Sequence, residues 1–344
     1  MKRLAAITAL HAIAALAGYL TLLAGVPLPW MIGPILVASI ATPIVGANGS
    51  TVPLRMLGQL VIGAAMGFSL SPSAFERIIS ASIPIALAAL LTVVTAIILG
   101  WLQARFLKLD TATAIYSSVP GGPVDMALLA EHQGGDPGRT ALAQTIRLVL
   151  IIALFPQLLL YLGATNYSHR VSLVDLTDLL PLFVLLGACV LAGIGARFAR
   201  VLNPFFVGPL LFVGVLSTSG MSLPPVPDWL VAFAQILLGV SIGSLFQRDL
   251  YRSGITTIAL ACATMLLLFS LCTGIAWAIH LGFDLDLRTM LIATAPGGAT
   301  EMAVTAQAME LDVPLVVAFQ IVRVIVIATL LPLIFITFKK LLTR

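Results

Sequence analysis

Apolar stretches of membrane-spanning length alternate with short polar breaks from one end of this chain to the other. In the first half they lie near residues 4–24, 30–46, 54–70, 75–101, 111–130 and 138–162. In the second they lie near 178–199, 205–220, 229–246, 253–281, 288–308 and 313–338. A helix needs about 20 apolar residues to cross a hydrocarbon core roughly 30 Å thick, whereas a β-barrel would show short alternating segments. The pattern predicts an all-α polytopic membrane protein. The second run of each half, opening LPWMIGP or NPFFVGP, is short for that thickness, which predicts tilt or an interfacial position with Trp30 as an anchor.

Sliding the chain on itself gives one consistent register. A shift of 176 pairs Pro120 with Pro296, Gln144 with Gln320, Arg147 with Arg323, Gln59 with Gln235, Gly63 with Gly239 and Gly67 with Gly243. Near the start the shift is 175, pairing Gly18 with Gly193, Pro29 with Pro204 and Gly33 with Gly208. This predicts two tandem repeats of about six segments, residues 1–165 and 175–344. The first run, opening MKRL, has the form of a signal peptide, but its counterpart in the second half marks it as a membrane segment.

Two runs contain a helix breaker: SVPGGPVDM at 118–126 and TAPGGATEM at 294–302. Proline removes a backbone donor, and paired glycines release the chain from helical geometry. Free backbone groups are tolerated at bilayer depth only inside protein or beside a cavity, and transporters bind solutes at such breaks. Pro120, Gly121, Gly122, Pro296, Gly297 and Gly298 are therefore candidate site residues. Asp125 and Glu301 follow by three residues, placed either to cap the restarting helix or to bind a cation or proton. Gln144 with Arg147, and Gln320 with Arg323, share helix faces in the next run. An arginine there costs about 2.5–3.5 kcal/mol on insertion scales. Two roles are open for it: neutralising Asp125 or Glu301, or clasping an anionic solute. The small residues at Gly63, Gly67, Gly239 and Gly243 predict close helix packing.

Lysine and arginine placement addresses orientation. Of 18 such residues, Arg147 and Arg323 sit well inside runs, and the others lie near run ends or in the loops. If every run spans, the other 16 divide ten inside to six outside. If the two PGG runs are re-entrant, only Arg77, Arg170 and Arg288 stay outside and thirteen lie inside. The distribution predicts inverted repeats, PGG segments that are interrupted or re-entrant, a cytoplasmic N-terminus, and Thr177 in the joint facing outward.

Composition narrows the function classes. The chain is 60% hydrophobic and only 9% charged, against about 25% charged for a soluble domain, which leaves no room for a soluble DNA-binding module. Cys189, Cys262 and Cys272 lie in apolar runs, and His11, His132, His169 and His280 are scattered singly. No metal, cofactor or catalytic group is expected. The net charge of +4 needs only loop lysines and arginines, so no nucleic-acid partner is implied.

The PGG(x)2(D/E)M stretches, the LPW(x)2GP start and the QxxR of the last run resemble the AbrB-type bacterial membrane proteins, a group distinct from the soluble DNA-binding regulator of the same name. The resemblance covers essentially the whole chain. It implies a duplicated membrane domain akin to the cation:proton antiporter and anion transporter superfamily, with crossed, interrupted helices. In that superfamily the interrupted helices often span fully, whereas the charge count favours re-entry. The motif carries onto Pro120, Gly121, Gly122, Asp125 and Met126, and onto Pro296, Gly297, Gly298, Glu301 and Met302; the first copy departs in Pro123 and in having Asp. The family has been labelled a regulator of gene expression and an ammonia monooxygenase. Four isolated histidines do not supply an oxygenase metal site, so no enzymatic activity is expected.

The expectation is a multi-pass protein of the bacterial inner (cytoplasmic) membrane. It would be a secondary transporter of a small, anionic solute, with a coupling ion or proton as second ligand, the lipid bilayer as environment and an oligomer allowed. The alternative is a membrane-embedded sensor that affects gene expression indirectly.

Overall fold

The computed structural model of the protein describes residues 2–45, 52–163, 179–199, 201, 203–246 and 255–342. The expected joint between the halves, Thr177 and Arg170 included, lies outside them. All regular structure among the described residues is helical: α1 (Lys2–Leu23), α2 (Pro29–Val45), α3 (Val52–Gly67), α4 (Pro72–Ser80), α5 (Ser82–Leu107), α6 (Thr111–Ser118), α7 (Pro123–His132) and α8 (Pro137–Tyr161). There follow α9 (Leu179–Phe198), α10 (Pro204–Thr218), α11 (Asp228–Gly243), α12 (Ile255–Phe283), α13 (Leu287–Thr294), α14 (Ala299–Ala308) and α15 (Val313–Leu342). Six of them, α1, α5, α8, α9, α12 and α15, are long and apolar enough to cross a membrane.

The fourth apolar run differs from its sequence reading. Its first part is a separate short helix, α4, bent 94° from α3. The Ser71 hydroxyl caps it by accepting the Ala74 N–H at 3.1 Å, and Arg77 bonds Asp312 at 2.8 Å. The membrane-length helix begins only at Ser82.

The chain forms two compact units, and each draws on both halves of the sequence. One comprises Met1–Arg77, Leu148–Arg252 and Ala303–Pro314; the other comprises Ile78–Arg147, Ser253–Met302 and Leu315–Arg344.

The first unit packs through its glycines. A Cβ on Gly67 would meet the Leu210 carbonyl oxygen at 2.8 Å, and one on Gly63 would run into the Phe206 backbone, so α3 lies directly on α10. A Cβ on Gly239 would meet the Met31 carbonyl oxygen at 2.7 Å, and one on Gly243 that of Ile35 at 2.6 Å, so α11 lies on α2. Lipid tails are as apolar as leucine, so such contacts are held by dispersion and close backbone approach rather than by the hydrophobic effect. Trp30, expected as an anchor, packs against α1. Its ring lies where a Cβ on Gly18 would come within 2.8 Å, because α1 offers a side-chain-free surface there; Phe205 stands in the same way against Gly193.

The second unit surrounds its broken segments with apolar side chains. Ile115, Tyr116 and Val119 around the first break join one core with Val93, Ala96, Leu268, Cys272 and Ile327. The segments themselves are pairs of half-helices, α6 with α7 and α13 with α14. At 1.5 Å per residue these are roughly 12–15 Å long, so no half-helix crosses a bilayer core alone.

Candidate functional site

Both breaks are built alike from local sequence. The Asp110 carboxylate accepts the Thr113 N–H at 2.7 Å and starts α6; Asp286 accepts from Thr289 at 2.8 Å and starts α13. Each half-helix stops before proline, since proline excludes helical geometry from the residue preceding it. Val119 accordingly has φ −69°, ψ 127° and Ala295 φ −52°, ψ 133°. Pro123 then opens α7 at a position where its missing N–H costs nothing.

The motif explains itself in contacts. A Cβ on Gly121 would collide with Met126, and one on Gly297 with Met302. A Cβ on Gly122 would meet the Asp125 carboxylate and one on Gly298 that of Glu301. The two glycines thus leave room for a methionine and a carboxylate folded back from the first turn of the next helix, where negative charge is favoured. The copies differ in exposure: Asp125 is exposed, whereas Glu301 is buried at 7%.

Breaking a helix strands carbonyl oxygens, and the buried glutamines and arginines of the following helix take them. Gln144 Nε2 donates to the oxygens of Tyr116 (2.6 Å) and Val119 (2.8 Å). Arg147 donates to Val119 at 3.3 Å and to Gly121 at 2.8 Å. In the other copy Gln320 donates to Ala293 at 3.2 Å, and Arg323 to Ala295 at 2.6 Å and Gly297 at 2.5 Å. Arg147 and Arg323 are each 2% exposed, and their bonds run to backbone rather than to Asp125 or Glu301. The ion pairing weighed from the sequence is replaced by carbonyl capping. A hydrogen bond to a charged donor contributes about 1.5–3 kcal/mol, enough for two to offset the arginine's insertion cost.

The capping is incomplete in both copies at the same atoms. Nε of Arg147 and of Arg323, and Oε1 of Gln144 and of Gln320, are buried without a partner. Each break therefore holds one buried guanidinium nitrogen and one buried amide oxygen without a partner, and orphaned buried groups are rare enough to require a reason.

Pro120, Pro296 and Gly297 are buried, and Gly121, Gly122 and Gly298 half-buried, beside these groups. Three further polar residues belong here. Gln103 donates to the Ser118 hydroxyl at 2.9 Å, and the Thr294 hydroxyl, 176 residues after Ser118, donates to Met290 at 2.9 Å and to Cys272 at 3.3 Å. A hydroxyl ending both half-helices was readable from the register, although Gln103 had no such signal.

The family model described as "Transition state regulatory protein AbrB" matches residues 30–339. YhjN of Bacillus subtilis (strain 168) is 26% identical over 352 residues, covering 93% of this chain and 90% of the relative. "Putative regulator AbrB" of Escherichia coli (strain K12) is 26% identical over 305 residues, covering 86% of each.

Proposed function

The chain belongs to the AbrB family, and from that premise we propose that it is a secondary transporter of a small anionic solute in the bacterial cytoplasmic membrane. The observation that carries this reading is the pair of unfilled groups at each break, Arg147 Nε with Gln144 Oε1 and Arg323 Nε with Gln320 Oε1. A purely structural arginine would spend its donors on the carbonyls. Here one charged donor stays free in a buried place, the condition under which an anion gains most from a guanidinium. Glu301 is our candidate for a coupling cation or proton, supported by its being the buried carboxylate of the motif. The lone donor sites support binding rather than chemistry, so no catalytic role is assigned.

A second reading is favoured by the printed name of the Escherichia coli relative, a regulator. In it the same site binds its solute without moving it, and gene expression responds indirectly. Thermal stability of the purified protein across organic acids, amino acids and ions, beside Arg147→Ala and Arg323→Ala, tests binding. A ligand at 100 times its Kd adds about 2.7 kcal/mol, so a hit is visible, and its loss in the arginine variants is the expected result. Counter-flow of that ligand in proteoliposomes then separates the readings: exchange supports transport, and binding without exchange supports sensing.

A further inference from the structure

Beside the first break lies a cavity of about 80 Å³, formed within the second unit by α5, α6, α8 and α12. Arg147, buried and with Nε unpartnered, lines one end. Arg139, its side chain 53% exposed and 3.4 Å from Asp136, lines the other. Eight residues of α8 separate them, about 12 Å along the axis, with Ala143 midway on the same face. Ser117 and Thr264 bring hydroxyls to the wall, and Leu142 and Met265 bring apolar surface.

The corresponding positions beside the second break are closed. Adding 176 to the positions on α6 and α8 turns Arg139 into Leu315, Ala143 into Phe319 and Ser117 into Ala293. Subtracting it from those on α12 turns Thr264 into Ala88 and Ala261 into Ile85. All five are buried, Phe319 completely. Arg323 is thus packed under apolar side chains where Arg147 faces a cavity with polar walls. The buried charges at the breaks are Arg147, Arg323 and Glu301, Asp125 is exposed, and Asp136 offsets Arg139. Among the described residues the charges buried at the breaks sum to one positive, which favours an anion of single charge.

We propose that this cavity is the binding site for a small organic monoanion, a short-chain monocarboxylate. Its carboxylate meets Arg147, and its body lies along Ala143 between the hydroxyl and apolar walls. Beside the second break the counterpart positions are filled by buried Leu315 and Phe319. At roughly 10–15 Å³ for each water-sized occupant, the cavity takes a ligand of about five to eight heavy atoms. The assignment rests on the anion-binding reading of the breaks and adds its place, charge and size.

The test is thermal stability of the purified full-length protein titrated with sodium lactate and sodium butyrate, against sodium chloride, nitrate and succinate at equal ionic strength. Lactate or butyrate should raise Tm in a saturable way, and the other salts should not. Ala143→Phe, which copies the closed counterpart, and Ala261→Leu should each abolish the shift; if one variant fails to fold, the other decides. Arg139→Gln should weaken apparent affinity about three- to tenfold. A shift retained in the cavity variants but lost in Arg147→Gln overturns the cavity while leaving the arginine reading intact. A shift retained in Arg147→Gln as well overturns both. Stabilisation by chloride or nitrate alone, by succinate in preference, or by no monoanion overturns the monocarboxylate assignment.

Discussion

Arg147 donates to the carbonyl oxygen of Gly121, 26 residues earlier in the chain, at 2.8 Å, and Arg323 stands in the same relation to Gly297. The most expensive side chain to place in a membrane segment therefore supports the most expensive backbone, and each makes the other tolerable. The reciprocity is local to one unit, because Arg147, Arg323 and the carbonyls they take all fall within it.

Removing either arginine should consequently destabilise the protein before any solute is considered. Arg323→Ala strands the carbonyls of Ala295 and Gly297, at about 1–3 kcal/mol apiece, whereas Arg147→Ala strands that of Gly121 and leaves Val119 to Gln144. Lysine, a point charge without the guanidinium fork, should recover less than half of the loss. Unfolding in mixed detergent micelles measures this, and wild-type stability in the alanine variants would remove the capping role.

The second glycine of each motif should matter unequally. Gly298→Ala sets a methyl against the buried Glu301 carboxylate, while Gly122→Ala meets an exposed Asp125 that can swing away. Gly298→Ala should cost about 1–3 kcal/mol, as overpacking does, and Gly122→Ala clearly less. Adding Glu301→Ala should relieve part of the Gly298→Ala defect, a coupling readable in a double-mutant cycle. Additive effects would mean that the contact is not what fixes the glycine.

In the first unit, Gly239→Leu or Gly67→Leu should cut folded yield and lower Tm, because backbone or side chains of the facing helix already occupy the space. Gly187→Leu is the control, since nothing lies within 4 Å of its would-be Cβ. Detergent-resistant monodisperse protein, scored by size exclusion after mild heating, distinguishes them. Equal behaviour of Gly239→Leu and Gly187→Leu would contradict the packing.

Partial burial works to raise the Asp286 carboxyl, but the Thr289 N–H and hydroxyl and neighbouring Arg288 outweigh it and hold the group below its ordinary value. A carboxyl depressed in the folded state contributes stability above its unfolded pKa and loses it as pH falls through the folded one. Asp286→Asn should therefore flatten the acid limb of a stability–pH curve below the ordinary carboxylate range, and Asp286→Ala should cost about 1 kcal/mol at neutral pH as a lost cap. An unchanged acid limb in Asp286→Asn would exclude this carboxyl as its source.

Orientation is open to direct labelling. In a background lacking Cys189, Cys262 and Cys272, Gly282→Cys should react with an impermeant maleimide from outside. Gln133→Cys should react only after permeabilisation. Both residues are exposed. The reverse pattern would mean that both PGG segments span and the halves run parallel.

Sequence by itself determined the class of this protein and the positions of its breaks, because those follow from hydrophobic run length and from what proline and glycine do to a backbone; that six of the helices reach membrane length is read from the fold. It also picked out Gln144, Arg147, Gln320 and Arg323, since polar side chains in apolar runs are conspicuous. Their partners were not legible: a carbonyl oxygen has no letter of its own, so a sequence containing two acids and two arginines points to ion pairs that the fold does not make. Nor was the α3–α4 bend, beside which Ser71 caps α4 and Arg77 meets the distant Asp312. Only the tertiary structure decided that one arginine faces a cavity and its counterpart is sealed. That difference rests on ordinary residues such as Ala143 and Phe319, whose meaning depends on what packs against them.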